Sequence, residues 1–101
     1  MIFCEILIID DDPEDVEILS EAFTESGVTC VHHVNSAVKA FLYLAGLELE
    51  HLPKLIVTDL YLPGITGDEF LRDLKGREVY KHIHVVILSS EKTEKEIERY
   101  R

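Results

Sequence analysis

An apolar, partly β-branched run, Leu55-Ile-Val-Thr58, stops at Asp59, and a Pro63-Gly64 turn follows four residues later. A run of that length bounded by turn-formers reads as a buried strand. Alone, an acid at its tip is as readily a turn residue as a functional group. The event recurs, however, and the recurrence constrains the fold. Cys4–Ile9, Glu5 aside, is an Ile- and Leu-rich run that ends at Asp10-Asp11-Asp12, and Ile83–Leu88 is a third that ends at Ser89-Ser90.

Helical signals fill the gaps. Asp12 reads as an N-cap, with Pro13 just inside the helix and Glu14 and Asp15 in its first turn. Val16, Leu19 and Phe23 then recur at helical spacing, and Gly27 is a natural stop. Val28–Val34 reads as a less apolar strand, nearer an edge. Asn35 and Ser36 offer caps for a second helix, whose expected buried stripe is Val38, Phe41, Leu42 and Ala45. A third helix is expected from near Thr66 or Gly67, burying Phe70, Leu71 and Leu74 and ending at Gly76. A fourth, charged helix follows from Glu91 to Arg101, with Ile97 and Tyr100 on its inner face. The alternation βαβαβαβα over one domain, residues 1–101, predicts an α/β fold with a parallel sheet and right-handed crossovers.

Parallel strands place all their C-terminal tips on one edge, where ligands of open α/β sheets bind. Asp10, Asp11, Asp59 and the Ser89-Ser90 hydroxyls should therefore meet there. Crowded carboxylates are tolerated only with raised pKa values or with a cation among them. An all-oxygen donor set selects a hard ion, with Mg²⁺ the expected occupant. Calcium is disfavoured because Asp-Asp-Pro follows Asp10 in place of an Asp-x-Asp-x-Asp-Gly loop.

Composition narrows the partners. Twenty acids against ten bases give a formal charge of −10, which repels nucleic-acid backbones and anionic membranes. At 47% hydrophobic and 30% charged residues the chain has a globular balance. No apolar run approaches bilayer-spanning length, and the N-terminus lacks the features of a signal peptide, so a cytoplasmic setting is expected. In that reducing compartment Cys4 and Cys30 are expected to be small buried hydrophobes rather than a disulfide. Cys30, His32, His33, His82 and His84 invite a zinc reading, but the second and fourth strands should not be neighbours, so the two sets should not converge.

The motifs Ile-Leu-Ile-Ile-Asp-Asp-Asp-Pro-Glu-Asp, Ile-Val-Thr-Asp-Leu-Tyr-Leu-Pro-Gly-Ile-Thr-Gly and Val-Val-Ile-Leu-Ser-Ser-Glu resemble, in order and spacing, the CheY-like receiver domains of two-component response regulators. The resemblance implies a flavodoxin-like doubly wound sheet of strand order 2-1-3-4. It implies that Asp59 accepts a phosphoryl group from a phosphohistidine on a histidine kinase or phosphotransfer protein. Asp10 and Asp11 match the acidic pair, Asp11 ligating Mg²⁺ directly and Asp10 through water. Tyr61 would add its backbone carbonyl, Ser89 the switch hydroxyl, and Ser90 the small residue beside it. Any catalysis would be limited to Mg²⁺-dependent self-phosphorylation and autodephosphorylation.

The family also carries a fifth strand bearing a lysine, and a fifth helix. The chain ends at Arg101 within the expected fourth helix, and Lys92 and Lys95 come too early to match that lysine. The fourth strand is then an open edge, which invites pairing. Either the chain is a fragment of a longer one, the favoured reading, or a second copy covers the gap. A downstream protein target is a separate expected partner. Two rival functions remain at this level. One is a degenerate receiver that only binds proteins. The other is a metal-dependent aspartyl phosphatase, which would want an acid where Tyr61 stands.

Overall fold

The computed structural model describes residues 3–88. Its central sheet holds β1 (Ile6–Ile9), β2 (Val31–Val34), β3 (Leu55–Asp59) and β6 (His84–Leu88), all parallel, in the order β2-β1-β3-β6. This is the predicted order, the fourth long strand being β6. A small antiparallel hairpin, β4 (Tyr61–Leu62) with β5 (Ile65–Thr66), is an addition to the predicted elements. The helices are α1 (Pro13–Glu25), α2 (Ala37–Ala45) and α3 (Gly67–Lys75), with a 3-10 turn at Leu49–His51. None of the described helices is long and apolar enough to cross a membrane.

Side chains alternate across the sheet and divide the core in two. Ile6, Ile8 and Val57 face α1, where Val16, Leu19 and Phe23 pack in a partly buried layer. Leu7, Ile9 and Ile56 face the other way, against Ala37, Ala40 and Leu44 of α2 and Phe70 and Leu74 of α3. The Phe41 and Phe70 rings meet at 5.1 Å, and the Arg77 guanidinium lies 4.2 Å from the Phe41 ring centre. The helix starts follow the predicted caps. Asp12 accepts from the Glu14 N–H and Ser36 from the Lys39 N–H, while Thr66 and Glu69 form a capping box.

Several expectations are corrected. On α2, Val38 and Leu42 are 70% and 68% exposed and Ala45 is exposed too, the buried face being Ala37, Ala40, Phe41 and Leu44. The helix is apolar nearly all round, so periodicity alone does not choose its inner face. The second strand begins at Val31 rather than Val28. Val28 instead gives its N–H to the Phe23 carbonyl at the exit of α1 and packs below that helix. Cys4 and Cys30 are joined as a disulfide, Cα–Cα 4.5 Å, where free thiols were expected. Each cysteine just precedes one of two paired strands, and the Ile6–Val31 register brings them within bridging distance. The expected fourth helix, with Ile97 and Tyr100, lies outside the described residues.

Among the described residues β6 is the outer strand opposite β2, and its Val86 and Leu88 are exposed. On β2, His32 stacks on Tyr43 of α2 with ring centres 3.9 Å apart and planes within 6°. Burial, with the neighbouring His33 adding to it, lowers the His32 pKa from the ordinary 6.5, and burial raises that of Tyr43.

Two measurements test this packing. Reducing the disulfide, or Cys30→Ser, should lower unfolding free energy by about 3 kcal/mol in urea titration, since the bridge closes a long loop. A histidine whose folded pKa is lowered favours the neutral form. Its contribution is therefore complete above pH 6.5 and is lost as pH falls through the folded value. His32→Phe should remove that component from the acid limb of a stability–pH profile and keep the stack on Tyr43.

Candidate functional site

The register of the sheet brings the acids together. Ile9 pairs with Thr58 across β1 and β3, so Asp10 and Asp59 leave adjacent strands side by side. Asp10 and Asp59 are 5% and 4% exposed, whereas Asp11 is open to solvent. Asp10, Asp11 and Asp59 each offer a carboxylate oxygen, and the three atoms lie within 4.8 Å of one another. Such a set, all hard oxygen and open to solvent at Asp11, fits a divalent ion such as Mg²⁺ that keeps several waters.

Each buried acid is anchored by backbone. The Asp10 N–H bonds the Val34 carbonyl at 3.1 Å, continuing the ladder one residue past β1. Its Oδ1 accepts the Asp12 N–H at 2.9 Å, closing a tight turn into α1. The Asp59 Oδ1 accepts the Leu60 N–H at 2.8 Å, and the buried Thr58 hydroxyl donates to the Asp59 carbonyl. Leu60 gives its N–H to the Leu88 carbonyl, which carries the β3–β6 ladder past Asp59.

The hairpin after Asp59 is shaped by two glycines. Pro63 and Gly64 turn the chain between β4 and β5, Gly64 at a φ of 76° that side chains disfavour. Gly67 opens α3 directly on the strand tip and donates its N–H to the Leu60 carbonyl at 2.7 Å. A Cβ at position 67 would stand 2.7 Å from the Asp59 carbonyl oxygen and 3.3 Å from the Leu60 Cα. Only glycine lets the helix begin there.

Of the predicted site residues, the structure gathers Asp10, Asp11 and Asp59. Tyr61 lies two residues beyond Asp59, at the start of β4. Ser89 and Ser90 lie outside the described residues, as do Lys92 and Lys95. The cysteine and histidine set does not gather: Cys30 is in the disulfide, His32 is stacked on Tyr43, and His84 is exposed at the start of β6. A separate groove of about 700 Å³ lies at the opposite pole, lined in part by Leu49, Leu52, Pro53, Val79 and Ile83, with none of the three acids. The contact between His33 and the acid site was not legible from spacing. His33 Nε2 lies 2.9 Å from the Asp10 carbonyl oxygen, and this depends on the β1–β2 register.

An open parallel sheet with helices on both faces, and acids gathered beyond its carboxyl ends, is the flavodoxin-like class of ligand-binding α/β domain. The chain belongs to the response regulator receiver domain family, whose description matches residues 6–101. It is 36% identical over 94 residues to the two-component response regulator ORR6 of Oryza sativa subsp. japonica, covering 93% of this chain and 54% of that protein. It is 33% identical over 102 residues to the two-component response regulator ARR6 of Arabidopsis thaliana, again covering 93% and 54%. The chain thus spans about half the length of these relatives.

Among solved structures, the phosphorylated cyanobacterial phytochrome response regulator RcpA is 31% identical with a TM-score of 0.75, covering 95% of this chain and 71% of that one. The signal receiver domain of a signal transduction histidine kinase from Syntrophus aciditrophicus is 29% identical with a TM-score of 0.76, covering 96% and 70%.

The glycine contacts are directly testable. Gly67→Ala forces a backbone clash and should cost about 1–3 kcal/mol. Gly64→Ala meets no atom within 4 Å and should cost only its backbone strain, about 1 kcal/mol. Urea unfolding of both variants gives the order; a smaller loss at position 67 would mean that α3 shifts freely away from Asp59.

Proposed function

We propose that this domain is a phosphoacceptor of two-component signalling, acting in the cytoplasm, with Asp59 as the residue phosphorylated. The observation that carries the reading is the gathering of Asp10, Asp11 and Asp59 at the carboxyl edge of the sheet, in a chain of the receiver family. The donor would be a phosphohistidine on a histidine kinase or phosphotransfer protein. An Asp59 carboxylate oxygen forms the new O–P bond as the N–P bond breaks, and the histidine leaves with that electron pair and regains a proton from water.

Asp10, Asp11, Asp59 and the Tyr61 backbone carbonyl would hold Mg²⁺, with Asp10 acting through water. The ion would offset the charge of the phosphoryl oxygens against the carboxylate. The Leu60 N–H, shared between the Leu88 carbonyl and Oδ1 of Asp59, helps orient the carboxylate before the donor arrives. Ser89, with Ser90 beside it, is the residue we assign to reading the phosphoryl group, since both follow directly on β6, which pairs with the Asp59 strand. The switched surface would then lie around β6. Tyr61, where a phosphatase would want an acid, favours a phosphoacceptor over turnover.

Incubation with Mg²⁺ and a small phosphodonor should add at most one phosphoryl group per chain, stable in acid and labile in base, by intact-mass spectrometry. Asp59→Asn should reduce labelling to background, and labelling that persists would move the acceptor elsewhere. No labelling of a longer chain that includes the fifth strand and its lysine would favour a receiver that serves only as a binding module, and many turnovers a phosphatase.

A further inference from the structure

We propose that His33 is a positioning residue for the acid pair, holding the Asp10–Asp11 peptide in place from the neighbouring strand. The inference rests on the reading of Asp10, Asp11 and Asp59 as ligands of a divalent cation.

The geometry is specific. His33 pairs with Ile8 in the β1–β2 ladder, and its ring reaches two residues along β1 to the Asp10 carbonyl, Nε2 to oxygen 2.9 Å. A carbonyl oxygen only accepts, so Nε2 is the protonated nitrogen of this contact. That carbonyl and the Asp11 N–H belong to one rigid peptide plane. A donor fixed on one end of the plane sets its rotation, and so sets the direction in which Asp11 leaves the strand.

The other degrees of freedom of Asp10 are bounded as well. Its N–H is tied to Val34 of the same strand as His33, and its Oδ1 is tied to the Asp12 N–H. β2 thus grips Asp10 at both its N–H and its carbonyl. The adjacent His32 points to the other face, against Tyr43, so the two histidines do different work. Asp11 is the exposed member of the acid cluster, with no burial to hold its course, and the peptide plane before it is where outside support matters most. Groups that orient metal ligands in this indirect way commonly change affinity about 10-fold or more when removed.

The test compares His33→Phe, His33→Ala and His33→Gln in the full chain. Mg²⁺ and Mn²⁺ affinities are measured by calorimetry, and the Asp11 amide is followed by ¹H–¹⁵N spectroscopy without metal. The Phe and Ala variants should bind either ion about 10-fold more weakly and should shift the metal-free Asp11 amide. Gln, which offers an N–H at similar reach, should recover most of both effects. Phe keeps the ring bulk, so it guards against a general loss of folding.

A Phe variant that binds Mg²⁺ as tightly as the parent would overturn the positioning role, whatever its unfolding midpoint. Failure of the parent chain itself to bind either ion would instead overturn the cation-site reading, and this inference with it.

Discussion

The parallel pairing of β1 with β3 is the constraint on which the acid site depends. Ile9 opposite Thr58 sets Asp10 beside Asp59, and that pairing is locked because both strands are buried on both faces. Leu7, Ile9 and Ile56 must reach the α2–α3 side while Ile6, Ile8 and Val57 reach the α1 side. A one-residue slip would exchange every one of these contacts and would turn the acids away from each other. The hydrophobic core therefore fixes the geometry of a polar cluster that lies outside it.

Backbone groups hold that cluster at several points. Asp10 is tied through Val34, Asp12 and His33, and Asp59 through Leu60 and the approach of Gly67. At the opposite pole the disulfide ties the entries of β1 and β2, and the Lys75 ammonium caps the carbonyls of Lys81 and Ile83 before β6. The acids thus stand at an end of the sheet held by short hydrogen bonds, away from the covalent staple.

Much of this was legible in the chain. Apolar runs that stop at acids gave the strands and their shared edge, and Asp12-Pro13, Ser36 and Thr66 marked helix starts, because capping chemistry is local. What escaped depends on non-local geometry. The inner face of α2 keeps the expected Phe41, which meets Phe70, but is otherwise set by Ala37, Ala40 and Leu44, which a helix apolar on several sides does not single out. Strands of two residues, such as β4 and β5, are too short to show a period. The disulfide was judged by compartment, yet the adjacency of β1 and β2 already placed Cys4 near Cys30. In the sequence His33 figures only in a zinc set that should not converge, because only the register reveals the carbonyl above it.

The seating of α3 has a consequence for local opening. Its first residue donates to the Leu60 carbonyl, its middle buries Phe70 and Leu74, and its last residue reaches the loop before β6. Both ends of the helix are thus tied to neighbouring segments. Exchange of the Gly67 amide with solvent should then require the same sub-global event that exposes Phe70, and the peptide beside Asp59 should exchange as part of one cooperative unit with the core.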